Sequence, residues 1–186
     1  MGARELLPVE SVATLSAGPP NRARGFDPAR RGSPRTTVHS VRLSAEPSLD
    51  ATEYPFTHRI RVRFAETDAM GIVHHSRYLP YLEETRVAYL RRLGHPYAEM
   101  RAEGVDYAVL ECFVQYRQPL RFDDEVDMHL RLATVTRTSF QMTYLLTVDA
   151  VVMATAVTVH GCVTVAGRPT RLPGWLADVS SRASGS

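Results

Sequence analysis

The chain has 186 residues, of which 22 are basic and 20 acidic, for a formal net charge of +2. That length suits one domain with a tail, and the charge is too small to argue for a nucleic-acid partner. Every basic residue is arginine, which excludes both lysine Schiff-base catalysis and a Walker-type phosphate loop.

Hydrophobic residues at 44% and charged residues at 23% give an ordinary globular balance. The cysteines, Cys112 and Cys162, fall in predicted strands away from any C-x-x-C pair, and are expected to be buried free thiols in a reducing compartment. No apolar run approaches the ~20 residues that span a bilayer, and the N-terminus lacks the apolar stretch of a signal peptide. The expectation is a cytoplasmic protein without a membrane span.

Residues 1–52 include GPPNRARGFDPARRGSPR, rich in Gly, Pro and Arg and without apolar periodicity. Such a segment buries too little surface to offset its ordering entropy, so a disordered extension is predicted. Its arginines (Arg22, Arg24, Arg30, Arg31, Arg35) could meet an acidic partner, and a solvated tail is the expectation. The folded domain is expected over 53–178, with a flexible tail at 179–186.

From Tyr54 the pattern becomes regular. Phe56, His58, Ile60, Val62 and Phe64 alternate with polar residues, the mark of a half-buried strand. Ser76 to Leu93 reads as a helix whose stripe is His75, Tyr78, Leu82, Thr85, Tyr89 and Leu93. Pro80 requires its N-cap near Arg77 or an irregular first turn, because proline has no N–H to give. Gly94 and Pro96 end it, and a short helix follows over Pro96 to Ala102, closed by Gly104.

Thereafter every segment reads as strand. Ala108, Leu110, Cys112, Val114 and Tyr116 alternate; so do Val126, Met128, Leu130 and Leu132, and then Phe140, Met142, Tyr144, Leu146 and Val148. A tight turn at Asp149-Ala150 leads into Val151, Met153, Val157, Val159, Val163 and Val165. A strand, a long helix and four further strands predict an antiparallel meander packed on the helix stripe, an α+β fold. Its open sheet edges predict dimerisation by edge pairing.

Asp68 sits in the turn Glu66-Thr67-Asp68-Ala69-Met70-Gly71, where an aspartate ordinarily bonds nearby amides. A helix begins shortly downstream, and its free N–H groups and positive dipole end can hold a developing oxyanion. Gly71 permits close backbone approach or a positive φ. His74 and His75 have no third or fourth ligand at a recognisable spacing, so no metal site is expected, and no cofactor. A triad drawn from Ser76, Ser139 and His160 lacks a G-x-S-x-G turn. Glu83 and Glu84 read as helix carboxylates paired with Arg86 or Arg91. Arg137 and its neighbours Thr138 and Ser139 occupy a turn between strands, where arginine can meet a phosphate or a pantetheine arm.

The run D-x-x-G-x-V-x-H-x-x-Y (Asp68, Gly71, Val73, His75, Tyr78), with Phe64, Glu66-Thr67, Leu79, Glu84, Arg86 and Leu93-Gly94, resembles the hotdog-fold acyl-CoA thioesterases of the 4-hydroxybenzoyl-CoA thioesterase type. It is especially similar to the short-chain branch associated with Tol–Pal operons. Val114-Gln115-Tyr116-Arg117-Gln118-Pro119-Leu120-Arg121-Phe122-Asp123-Asp124 and Gly167-Arg168-Pro169-Thr170-Arg171-Leu172-Pro173 extend the resemblance over about Phe56 to Leu176.

The resemblance implies a hotdog fold, an antiparallel sheet wrapped around one long central helix. It also implies hydrolysis of an acyl thioester, acyl-CoA before acyl carrier protein, with a non-catalytic acyl-CoA-binding module as the alternative. Asp68 and His75 match catalytic positions, with Asp68 as nucleophile or general base and the His75 amide as oxyanion donor. Gly71, Val73, Tyr78, Arg137 and Ser139 would contact substrate, and a homodimer or homotetramer is implied. Arg77 and Pro80 depart from the family's usual residues, so acyl preference is not inherited.

Overall fold

The computed structural model describes residues 43–183, with side chains through residue 180. The expected arginine cluster lies outside the described residues. Five strands form one antiparallel sheet in the order β1-β3-β4-β5-β2: β1 is Phe56–Arg61, β2 Val105–Tyr116, β3 Glu125–Val135, β4 Ser139–Val148 and β5 Val151–Thr164. Helix α1, Tyr78–Arg92, crosses one face. The short α2 is Tyr97–Ala102, and a third helix, α3, is Gly174–Ala183. This is the expected sheet around a central helix, with β1 and β2 at its edges. No helix among the described residues is long and apolar enough to cross a membrane.

The core forms where the inward faces of β1, β3 and β4 meet α1. Ile60, Val126, Met128, Leu130, Leu132, Phe140, Met142, Tyr144 and Leu146 all belong to it. Tyr78, Leu82, Thr85 and Tyr89 of the predicted stripe are buried, joined by Tyr81, Arg86 and Leu90. Pro80 is the third residue of α1, whose N-cap is Arg77. Its missing N–H falls among donors that have no intrahelical partner in any case. A 3-10 turn at His75–Arg77 leads into the helix.

Four local readings need correction. β1 stops at Arg61, and Phe64 begins a 3-10 turn with its ring 75% exposed against Phe122. β2 carries a bulge between Val109 and Glu111. The extra residue reverses the alternation, so Tyr107 and Val109 share a face with Cys112, and Ala108 and Leu110 take the other. Cys112 is exposed rather than buried, because β2 is an edge strand; Cys162 is buried as expected. On β5 the residues of the central core are Met153, Ala154, Ala156 and Cys162, and Val157 and Val159 are buried on the opposite face.

That opposite face is covered in part by residues 43–54. The side-chain carbonyl of Gln141 accepts from the amides of Ser44 and Ala45 at 3.0 and 3.1 Å. The Tyr54 hydroxyl donates to Ser48 O at 2.8 Å, and Asp50 caps a 3-10 turn over Ala51–Glu53. At the other end, Leu172 N donates to Arg137 O, Leu176 is buried, and Trp175 stacks on His95 at 3.8 Å.

Candidate active site

Between β1 and α1 the chain makes a compact turn held by backbone bonds. Asp68 N donates to Ile72 O and Gly71 N to Asp68 O, both at 2.9 Å. Gly71 has φ +71°, a left-handed value that glycine adopts without the Cβ penalty. One carboxylate oxygen of Asp68, Oδ1, accepts from the Met70 amide at 2.8 Å; Oδ2 has no partner among the described hydrogen bonds. The turn is fastened to its surroundings by Val73 N donating to Leu120 O at 2.8 Å and His74 N donating to Glu66 O at 2.9 Å.

Glu66 is the buried anchor, only 5% exposed. Its carboxylate accepts from the Tyr81 hydroxyl, from the Arg63 amide and from the Arg63 guanidinium. Burial pushes this carboxyl up, but those hydrogen bonds and the charge of Arg63 outweigh it and hold it below the usual carboxylate range.

Asp68, Val73, His75 and Tyr78 line one cavity of about 270 Å³, together with Met70, Ile72 and the segment 116–119. The His75 amide, at the start of the 3-10 turn that opens the helix, makes none of the described hydrogen bonds. Tyr116 donates to His75 O at 3.1 Å, and its ring meets that of Tyr78 edge to face at 4.8 Å. Burial pushes both phenols above their ordinary range, so both remain protonated donors near neutral pH. A half-exposed carboxylate, an unpartnered amide at a helix start and a largely apolar wall are suited to acyl chemistry. The carboxylate can attack a carbonyl or deprotonate water, and the amide can receive the oxyanion.

Four of the seven expected site residues therefore converge on this cavity. Gly71 shapes the turn without lining the cavity. Arg137 and Ser139 lie elsewhere: Ser139 pairs with Gly161 on β5, whereas Tyr116 pairs with Ala154. Seven strand residues separate those positions, roughly 23 Å at the usual rise. A single chain does not bring the hairpin of Arg137 to the cavity. Ser76, Ser139 and His160 do not form a triad, since their side chains bond His74, Thr136 and Thr158 respectively. Glu84 pairs with His58 at 3.1 Å rather than with a helix arginine.

The wall at Tyr116, Arg117, Gln118 and Pro119 did not enter the expected site, although V-Q-Y-R-Q-P was part of the family signature. Its position depends on an irregularity invisible in the sequence. The β4–β5 register shifts near Met153, and Met153 O accepts from both Arg117 N at 2.9 Å and Gln118 N at 3.0 Å.

The family model of the thioesterase-like superfamily matches residues 62–179. An Aquifex aeolicus relative assigned to the esterases is 39% identical over 125 residues, covering 67% of this chain and 97% of its own length. The acyl-CoA thioester hydrolase YbgC of Escherichia coli is 31% identical over 84 residues, covering 45% of this chain and 63% of that protein. Among solved structures, a hypothetical protein from Aquifex aeolicus superposes with TM-score 0.64 at 39% identity, over 67% of this chain and 98% of its own. A thioesterase from Thermus thermophilus, solved with coenzyme A and Zn, superposes with TM-score 0.63 at 27% identity, over 72% of this chain and 97% of its own.

Proposed function

The chain belongs to the thioesterase-like superfamily and has the hotdog fold, and from that premise we propose that it hydrolyses acyl-CoA thioesters at the cavity beside Asp68. The observation that carries this reading is the sharing of one cavity by Asp68 and His75, with Asp68 Oδ2 and the His75 amide both unpartnered among the described hydrogen bonds. The thioester carbonyl would sit between them. Asp68 attacks it or activates a water, and the His75 amide holds the oxyanion as it forms. Met70, Ile72, Val73, Tyr78 and Pro119 provide a largely apolar wall for the acyl group.

The Met70 amide bond leaves Asp68 positioned without using both of its oxygens. Asparagine can keep that bond through its carbonyl oxygen, so Asp68→Asn removes the base and spares the turn. Free-thiol release across acyl-CoAs of varied size should fall by about 10²–10⁴ in kcat for this variant. Near-full activity in a normally folded Asp68→Asn protein would end the assignment. Presenting the same acyl group on CoA and on acyl carrier protein separates the two thioester classes.

We also assign the working form to an assembly of copies paired along β2. Among the described residues that strand has one unpaired edge, and it exposes Val109, Leu110, Phe113 and Tyr116. Arg137 and Ser139, distant from the cavity of their own chain, would then be candidates to reach a neighbour's substrate.

A further inference from the structure

A second cavity, of about 330 Å³, lies between α1 and strands β2, β4 and β5. Three of the residues lining it carry a buried polar atom that no group among the described residues satisfies: Nη1 of Arg86, the hydroxyl of Tyr107 and Nδ1 of His160. Their residues are 5%, 5% and 1% exposed. Native interiors seldom leave such atoms orphaned, and three around one space call for an explanation.

Two of the three can donate to a ligand. Arg86 is a guanidinium and can only donate. Tyr107 is held protonated by burial, which raises its phenol. His160 is neutral, because burial first and the charge of Arg86 second lower it to about 3. Its Nε2 bonds Thr158 Oγ1 at 2.8 Å, and the Tyr144 hydroxyl lies 3.3 Å from that same oxygen. The Tyr144 hydroxyl also donates to Met142 Sδ at 3.7 Å, and His160 Nδ1 is left without a partner in either tautomer. The cavity therefore offers the Arg86 guanidinium and the Tyr107 hydroxyl as donors, one of them fully charged, beside the unpaired Nδ1.

The one carboxylate that lines the cavity, Glu83, offsets that charge only in part. The carboxylate of Glu83 is 4.0 Å from Arg86 Nη2, beyond hydrogen-bond reach, and its side chain is 72% exposed at the rim. Asp106 feels the charge of Arg86 but is already engaged by Tyr97, Arg101 and the Tyr107 amide. A buried guanidinium left unpaired is strongly unfavourable, and a carboxylate received by its planar fork removes the imbalance.

We infer that this cavity receives a carboxylate at the far end of the acyl group, making the substrate class the mono-CoA thioesters of dicarboxylic acids; this rests on the thioesterase reading above. The two cavities lie along the same two elements. Tyr78 and Tyr116 line the first; Leu79, Leu82 and Cys112 line the second. From Tyr78 to Arg86 the helix rises about 12 Å. Helical side chains lean toward the N-terminus, which brings the guanidinium closer to the reacting end. Leu79 and Leu82 offer apolar contact to the intervening methylenes.

The test compares dicarboxylic mono-CoA thioesters with methyl-terminated acyl-CoAs of matched length, by thiol release from the full chain, in wild type, Arg86→Met and Tyr107→Phe. Wild type should favour the carboxylate-ended series in kcat/KM by at least about tenfold at one or more lengths. Arg86→Met should abolish that ratio and Tyr107→Phe should reduce it. Equal rates on both series in wild type, or a ratio unchanged in Arg86→Met, would overturn the inference and leave the thioesterase reading intact. Should Arg86→Met fail to fold, an unchanged ratio in Tyr107→Phe overturns it equally. If neither series is hydrolysed, the thioesterase reading fails, and thermal melts with free dicarboxylic acids decide for the cavity. A rise in Tm that Tyr107→Phe diminishes supports the carboxylate site, and no rise in wild type sinks it.

Discussion

The Tyr81 hydroxyl donates to Glu66 Oε2 at 2.6 Å, tying the buried face of α1 to the loop that presents Asp68. The same oxygen accepts from the Arg63 amide at 2.8 Å, and Oε1 takes the Arg63 guanidinium. One buried carboxylate thus fixes the Asp68 turn relative to the helix start that bears His75.

Glu66→Gln should therefore destabilise the fold by about 1–3 kcal/mol in urea unfolding at neutral pH, the range for a buried hydrogen bond to a charged group. Its pH dependence has a definite sign. The folded carboxyl lies below its usual 4.5, because hydrogen bonds from Arg63 and Tyr81 outweigh the upward push of burial. The stabilisation is full above the unfolded value and is lost as pH falls through the folded one. The gap between wild type and variant should close in acid below about pH 4.5. A gap that stays constant until acid unfolding would show that the ionised form is not what clamps the turn.

Tyr116 braces the backbone at His75, whose carbonyl accepts from its hydroxyl at 3.1 Å. Tyr116→Phe keeps the edge-to-face packing on Tyr78 and removes only that bond. Stability should change by about 0.5–1.5 kcal/mol. On the proposed mechanism the kinetic effect should fall on kcat more than on KM, since the bond braces the backbone of the residue whose amide would receive the oxyanion. A change confined to KM would place Tyr116 in substrate binding instead.

The parts of this molecule legible in the sequence are those that repeat. The period of two in Val126, Met128, Leu130 and Leu132, and the spacing of Tyr78, Leu82, Thr85 and Tyr89, each name a buried face directly. Features set by single insertions were not legible. The bulge between Val109 and Glu111 leaves the apolar alternation of β2 looking continuous while moving Ala108 and Leu110 to the other face. β4 and β5 are buried on both faces, so the valines of β5 gave no sign of which side meets α1. In the site, Asp68, His75 and Tyr78 were legible because one short motif holds them. Arg86 and His160 come from distant segments, and a helix arginine beside Glu83 and Glu84 reads as an exposed ion pair until its burial is seen.

The β4–β5 hairpin turns through two non-glycine residues with left-handed backbone, Asp149 at φ +48° and Ala150 at φ +65°. A two-residue hairpin with both central φ values positive is the type I′ arrangement, which favours Asp-Gly. An alanine there bears a steric penalty of about 1–2 kcal/mol that glycine avoids, partly offset by glycine's greater freedom in the unfolded chain. Ala150→Gly should accordingly stabilise the protein by about 0.5–1 kcal/mol, read as a higher urea midpoint with an unchanged slope. A lower midpoint would mean that the turn does not persist in solution.

β2 presents the unpaired edge that an assembly of copies would use. It is twelve residues long, pairs among the described residues only with β5, and leaves Val109, Leu110 and Phe113 at 58%, 42% and 54% exposure. A long, apolar, uncovered edge invites strand pairing, and a lysine on such an edge opposes it. Light scattering on a sizing column should give the wild type as a dimer or a tetramer built from that dimer. Phe113→Lys should raise the dimer dissociation constant by about tenfold or more, in line with the opposition that an edge lysine offers to pairing. Activity should follow the dimer population as the variant is diluted, because the Arg137 hairpin would then lose its access to a neighbouring cavity. A wild type that stays monomeric at all concentrations while hydrolysing acyl-CoA would remove β2 pairing from the mechanism. It would leave Asp68, His75 and Tyr78 to act within one chain.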